Sequence, residues 1–448
     1  MAGVENLGQH VNKANIAVIG GGYSGMAAAV RIVEGGGVPT VFESARVLGG
    51  RARRIEYLGR TLDNGQHILS GAYSELLRLM NVIGLSANVV QRVPLRLSMP
   101  PDFLLRAPML PAPWHMAVAL LTAKGLTFSD RMRAIGMMQA LKKSQFMVPA
   151  WQTVGELLAQ HRQSQHVIHN LWQPLTVSAL NTPITRASAQ VFANVLCDAL
   201  AGPREASDLL LPQVDLTALF PDPAAEWVVK NGGQVLLGQR VDALTFNPQH
   251  VTLQVGGSTQ NFDAAVLAVG PHQRAEFGSV LAADGSPPLR YEPITTIYFG
   301  FASRVSLPLA MLGQAHGLCH WFFDRRQLSA TPDAPELVVA AVISASGPHD
   351  ELETDALAAH ALAELRQHLP TLPAPSWQKV VREKFATFAC TPDAPRPSSR
   401  TASPRIFLAG DDVANPRRNY PATLEGTVRN GIAAADAAMQ AVTKMAKP

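Results

Sequence analysis

The chain has 448 residues, 47% hydrophobic and 16% charged, with a net charge of +4. That length carries two domains with ample core, and scattered Lys and Arg without a dense basic run or interleaved aromatics exclude a nucleic-acid-binding protein while leaving weak attraction to anionic lipid. Three cysteines, Cys197, Cys319 and Cys390, are far apart and odd in number, which excludes a disulfide framework or a thiolate metal site and points to a reducing cytosol.

Residues 1–13 lack an apolar core, so they are not a secretory signal and read as a mobile tail. The β-branched run at 16–19 is followed at once by Gly20-x-Gly22-x-x-Gly25 and a helical pattern over 26–33, the strand, tight turn and helix order of a dinucleotide site. Gly20 permits the turn, Gly22 lets a pyrophosphate approach the backbone, and Gly25 lets helix pack on strand. Ser24 sits among the helix-start amides that face the phosphates. The second strand, 39–43, ends in Glu43, 18 positions after Gly25, where a ribose-binding carboxylate belongs; it disfavours NADP. Gly49-Gly50-Arg51-Ala52-Arg53 then offers backbone amides and a fixed cation to a second phosphate. These three elements resemble the amine-oxidase and phytoene-desaturase group of FAD proteins. The resemblance implies FAD as the cofactor and an α/β fold, a Rossmann-like FAD-binding domain with an inserted α+β substrate domain.

Residues 14–84 form the first part of the cofactor domain. Within them, 54–62 reads as a hairpin around Gly59 and 74–83 as an amphipathic helix capped at its start. The polar run Asp63-Asn64-Gly65-Gln66-His67 is either an ordinary turn or a loop that presents Asp63, Gln66 and His67 to a flavin or its substrate. Residues 85–225 read as a mostly helical insert, with helices over 127–148, 153–161, 171–180 and 187–200. The stretch 103–121 is apolar but broken by Pro108, Pro111 and Pro113, and it does not reach the length of a bilayer span. It reads either as an internal core helix or as a monotopic membrane contact or tunnel lid.

Residues 226–271 return to the cofactor domain, with 227–246 reading as a strand that enters the parallel sheet. In the resembling group, the residue at Val241 pairs its backbone with adenine. Residues 272–400 resume the substrate domain, where strands at 295–301, 336–344 and 377–385 and a helix over 355–369 wall a large pocket. Residues 401–448 come back to the cofactor. A strand at 405–411 ends in Gly410-Asp411, whose Asp in FAD proteins of this type bonds a ribitol hydroxyl or a phosphate-side water. Thr423 and Leu424 open a helix whose positive end faces the flavin and favours its reduced form.

Taken together, the motifs at 49–53, 62–67, 209–216, 407–411 and 421–426 look like those of the hydroxysqualene dehydroxylases, squalene-associated FAD proteins of bacterial hopanoid synthesis. One departure is Asp412, where that resemblance implies an aromatic. The implied reaction removes the hydroxyl of hydroxysqualene with a hydride from reduced flavin, assisted by an acid. Asp63, His67 and Glu425 are the candidate acids, with Glu425 equally readable as a carboxylate serving a helix dipole. A long isoprenoid substrate implies a cytoplasmic protein held at the inner face of the cell membrane through 103–121. Rival readings are a carotenoid-type desaturase or isomerase and a non-catalytic prenyl-lipid carrier of the same fold.

Overall fold

A computed structural model describes residues 13–278, 289–328, 336–415 and 417–445; most of the tail read at 1–13 lies outside them. Strand β1 (Asn15–Ile19) is buried along 16–19, as an apolar run covered on both faces must be. It lies at the centre of a five-stranded parallel sheet in the order Gln234–Leu237, β2 (Val38–Glu43), β1, Ala264–Leu267 and Ile406–Leu408. Side chains alternate across β1. Ile16 and Val18 face helix α1 (Tyr23–Glu34), Pro221–Lys230 and the C-terminal helix Leu424–Met445. Ala17 and Ile19 face an antiparallel meander of Val241–Phe246, Val251–Val255 and Ser258–Phe262. The C-terminal helix crosses close to α1, because a Cβ at Gly431 would lie 2.2 Å from the Ser24 carbonyl oxygen.

A second, antiparallel sheet runs Met311–Gly313, Trp321–Asp324, Leu337–Ser344, Tyr291–Phe301 and Trp377–Phe388. Ile297, Phe299 and Phe301 pack under the helix Thr354–His368, while Tyr298, Phe323 and Val342 turn to the opposite face. That face meets the helical insert, which includes α3 (Trp114–Thr122), α4 (Phe128–Lys143) and Ala189–Leu200. Thr127 opens α4 with a capping box to Asp130.

Two sequence expectations change. The strand read over 227–246 is in fact the end of a helix, Pro221–Lys230, followed by two strands in different sheets. Pro221 sits in the first turn of that helix and its inner face carries Ala224 and Val228, a helical spacing. The stretch 103–121 is not one internal helix. Phe103–Arg106 is a strand paired with Arg96–Met99, the prolines carry the chain across the surface, and α3 follows. Among the described residues no helix is long and apolar enough to cross a membrane.

Candidate functional site

The parallel strands of β2 and Ala264–Leu267 flank β1 on opposite sides, so the carboxyl end of β1 is a topological switch point, where open α/β sheets bind ligands. Gly20 has φ +109°, and a Cβ there would sit 2.5 Å from the Ala268 oxygen; a Cβ at Gly25 would sit 1.8 Å from the Gly20 oxygen. Gly22 is the N-cap of α1, whose first turn holds no acid. Gly22 and Gly49 are bridged, and a Cβ at Gly22 would point at Gly50 Cα across 3.7 Å. Ser24 Oγ is buried there and has no partner among the described residues. An open glycine cleft, free helix-start amides and an orphaned hydroxyl form a donor set suited to a pyrophosphate.

At the end of β2 the Glu43 carboxylate accepts from the Gly21 and Ala45 amides at 2.7 and 2.8 Å, which fixes it with lone pairs left for ribose hydroxyls. Val241 lies at the same end. Arg51 does not hang free in the cleft. Its guanidinium donates to Asp411 and to the carbonyls of Phe385 and Ala386 at 3.1 and 3.0 Å. Burial opposes its charge, but Asp411 outweighs that and keeps it cationic. Arg51 thus ties the Gly49-Gly50 loop to Gly410-Asp411 and to the substrate sheet. Asp412 pairs with Arg274 through two hydrogen bonds of 2.8 and 3.0 Å, with both side chains buried. An aromatic in that place would leave Arg274 uncompensated, so the departure at Asp412 and the presence of Arg274 belong together.

The three candidate acids separate. Glu425 is buried, and its carboxylate accepts from the Glu75 and Leu76 amides at 3.0 and 2.9 Å and from Arg429 Nε at 2.7 Å. It caps α2 (Ser74–Val82), a task assigned to the helix's own start in the sequence reading; Ser74 instead accepts from Arg429. Burial raises the Glu425 pKa against Arg429 and the two amides. Asp63 is also buried, accepting from the Leu216 amide at 2.8 Å and from Arg325 Nη1 at 2.9 Å. The same Arg325 nitrogen holds Gln66 Oε1 at 2.9 Å, and Tyr298 donates to the Asp63 carbonyl. His67 differs. Its Nδ1 donates to the Gly65 carbonyl at 2.8 Å, its Nε2 has no partner among the described residues, and burial lowers its pKa.

One cavity of about 1440 Å³ gathers Gly20, Gly22, Ser24, Glu43, Gly49, Gly50, Arg51, Gln66, His67, Val241, Gly410, Asp411, Thr423, Leu424 and Glu425. Gly25 and Asp63 lie behind its wall. Thr423 Oγ1 accepts from the Gly426 amide at 3.2 Å and so caps the C-terminal helix, whose start faces the cavity. The same cavity is also lined by Leu105, Met138, Phe146, Trp172 and Phe192 of the insert and Trp321 and Phe323 of the sheet. Its volume exceeds the ~300–1,000 Å³ of a site for one drug-sized molecule. Arg274 and Arg325 were not singled out in the sequence reading; neither lies in a motif, and each finds its carboxylate far along the chain.

The profile described as flavin containing amine oxidoreductase matches residues 23–439. The chain is 29% identical over 445 residues to the hydroxysqualene dehydroxylase of Rhodopseudomonas palustris, covering 95% of this chain and 98% of that one. It is 28% identical to the hydroxysqualene dehydroxylase of Zymomonas mobilis, covering 94% and 98%. An oxidoreductase of Methanosarcina mazei shares the fold at TM-score 0.75 and 14% identity, over 94% of this chain and 100% of that one.

Proposed function

Because the chain belongs to the flavin-containing amine oxidoreductase family, with FAD as its cofactor, we propose that it reductively removes the hydroxyl of hydroxysqualene to give squalene and water. The observation that carries this reading is one cavity lined both by a dinucleotide cradle and by an apolar chamber, with His67 among the polar groups of its wall. The relatives' names supply the substrate.

The α1 amides, Ser24 and the Gly22–Gly50 cleft would hold the pyrophosphate, Glu43 a ribose and the start of the C-terminal helix the flavin. Bound and reduced, FAD supplies a hydride. The chain's own residues set up the rest. The chamber walls orient the isoprenoid and exclude water, which would otherwise recapture the allylic cation and regenerate the alcohol. His67 Nδ1 is held protonated by a carbonyl that can only accept, so Nε2 is the atom that exchanges a proton with the cavity. Its imidazolium, disfavoured by burial, is a stronger acid than a solvated one and protonates the departing hydroxyl. The C–O bond breaks and the hydroxyl leaves as water, a hydride from bound, reduced FAD would complete the new C–H bond, and solvent returns the proton to His67. The test is a single anaerobic turnover of the reduced holoenzyme with hydroxysqualene. Squalene formed in step with flavin oxidation supports the reading; flavin that stays reduced with hydroxysqualene unchanged ends it.

A further inference from the structure

Exposed large apolar side chains are concentrated in one part of this molecule. Met109, Leu110, Trp114, Leu121, Phe128, Met132, Met147 and Trp151 all lie between 109 and 151, with Trp114, Phe128 and Trp151 at 64%, 72% and 70% exposure. Singly exposed apolar residues are ordinary, but a cluster marks a contact surface. The same segment is basic. Arg106, Lys124, Arg133, Lys142 and Lys143 are exposed, and the one acid between 103 and 151, Asp130, is buried in hydrogen bonds to Thr127 and Ser164.

The surface also meets the cavity. On α4 the residues Phe128, Met132, Ile135, Gln139 and Lys142 follow a spacing of four and three and share one face. Ile135, Gln139 and Lys142 line the cavity, whereas Phe128 and Met132 carry the stripe outward. Trp114, at the start of α3, is both exposed and cavity-lining. The cavity lining thus includes exposed residues of both α3 and α4, as it includes the exposed Gln239 and Arg240 at the nucleotide end.

We infer that the α3–α4 pair with the flanking segments 109–113 and 147–151 is a monotopic docking surface for an anionic bilayer, and that the apolar substrate enters laterally from the lipid through an opening beside Trp114 and Lys142. Aromatic and Met side chains suit the acyl boundary, the exposed cations suit anionic headgroups, and no span is needed. The broken stretch 103–121 supplies only half of this surface; α4 supplies the other half. The inference rests on the proposed reaction for its cargo alone, so membrane binding and turnover fail separately.

The experiment is co-sedimentation of purified holoenzyme with phosphatidylcholine vesicles that contain or lack phosphatidylglycerol. Wild-type protein binds the anionic vesicles, and rising salt weakens the binding. The F128S/M132S/W151S variant, altered at positions off the cavity wall, binds at least ~10-fold more weakly with its flavin content unchanged. Hydrogen exchange of the wild type needs no variant: vesicles protect 109–151. Absence of wild-type binding, a variant that binds like wild type, protection elsewhere, or a concentration-dependent dimer that buries 109–151 without lipid would each overturn the inference.

Discussion

Arg274 and Asp412, 138 positions apart, form a bidentate ion pair with both side chains buried behind Gly410. One lies just past the strand Ala264–Leu267 and the other just past Ile406–Leu408, so the pair locks two adjacent strand ends at the rim of the cofactor cleft. Removing one partner of a buried pair leaves an uncompensated charge. Asp412→Ala should therefore cost about 3–5 kcal/mol of stability, whereas R274M/D412L, which removes both charges, should cost much less. Urea unfolding of the three proteins checks this; an unshifted midpoint for the single variant contradicts it.

Ser24 and Gly22 should control flavin affinity without controlling the fold. Ser24→Ala deletes a hydroxyl that has no other partner among the described residues. A hydrogen bond to a charged group is worth about 1.5–3 kcal/mol, so FAD should bind about ten- to a hundredfold more weakly. Gly22→Val fills the cleft opposite Gly50 and should give a folded, colourless protein. Equilibrium titration of apoprotein with FAD reads both.

The pH dependence of turnover should follow His67. Its pKa lies below the ordinary histidine value because burial disfavours the imidazolium. If that imidazolium is the acid, kcat falls about tenfold per pH unit above the lowered pKa and levels off below it. His67→Gln should lower kcat at least ~100-fold and flatten the profile while FAD stays bound. A His67→Gln profile that still tracks wild type would assign the proton to another group.

Arg325 positions the loop that carries His67. One nitrogen holds both Asp63 and Gln66. Arg325→Met leaves Asp63 buried without its cation, and a loop displaced by a fraction of an ångström should cost about 10–100-fold in kcat. Flavin content should be retained, since Asp63 lies off the cleft. Loss of FAD with no change in kcat per bound flavin would make Arg325 a cofactor residue instead.

His320 should report on acid stability. Its Nδ1 accepts from the Ser344 amide at 3.2 Å, and burial with the neighbouring His349 lowers its pKa to about 4. The folded state then binds fewer protons than the unfolded state between pH 6.5 and about 4. Stability from this group is present above the unfolded value and is lost as pH falls through that window, at up to about 1.4 kcal/mol per unit. His320→Asn should remove that part of the slope in urea midpoints taken across the window.

Local signals were legible in the sequence wherever the responsible residues are neighbours. The glycine turn at 20–25, the acid ending β2, the hairpin of Arg54–Tyr57 and Arg60–Asp63 around Gly59 and the start of α4 each lie within a few residues of what they shape. The helix Pro221–Lys230 carried its own signal in Pro221, which the Val and Trp content obscured. What was not legible is long-range pairing. Glu425 finds the α2 amides 350 positions away and Asp63 finds Arg325 262 positions away, and no spacing within a motif encodes either meeting. An isolated carboxylate in a motif reads as reactive until its distant partner is known.

The link between Arg51 and Asp411 joins the second glycine loop to the last strand of the sheet. A chain still on the ribosome lacks that strand, its Arg51 has no carboxylate, and the cleft stays open on one side. The complete cradle should therefore form only after that strand has joined the sheet. Until then the apolar surface of an unfinished sheet faces water, which should make the nascent chain a client for chaperones.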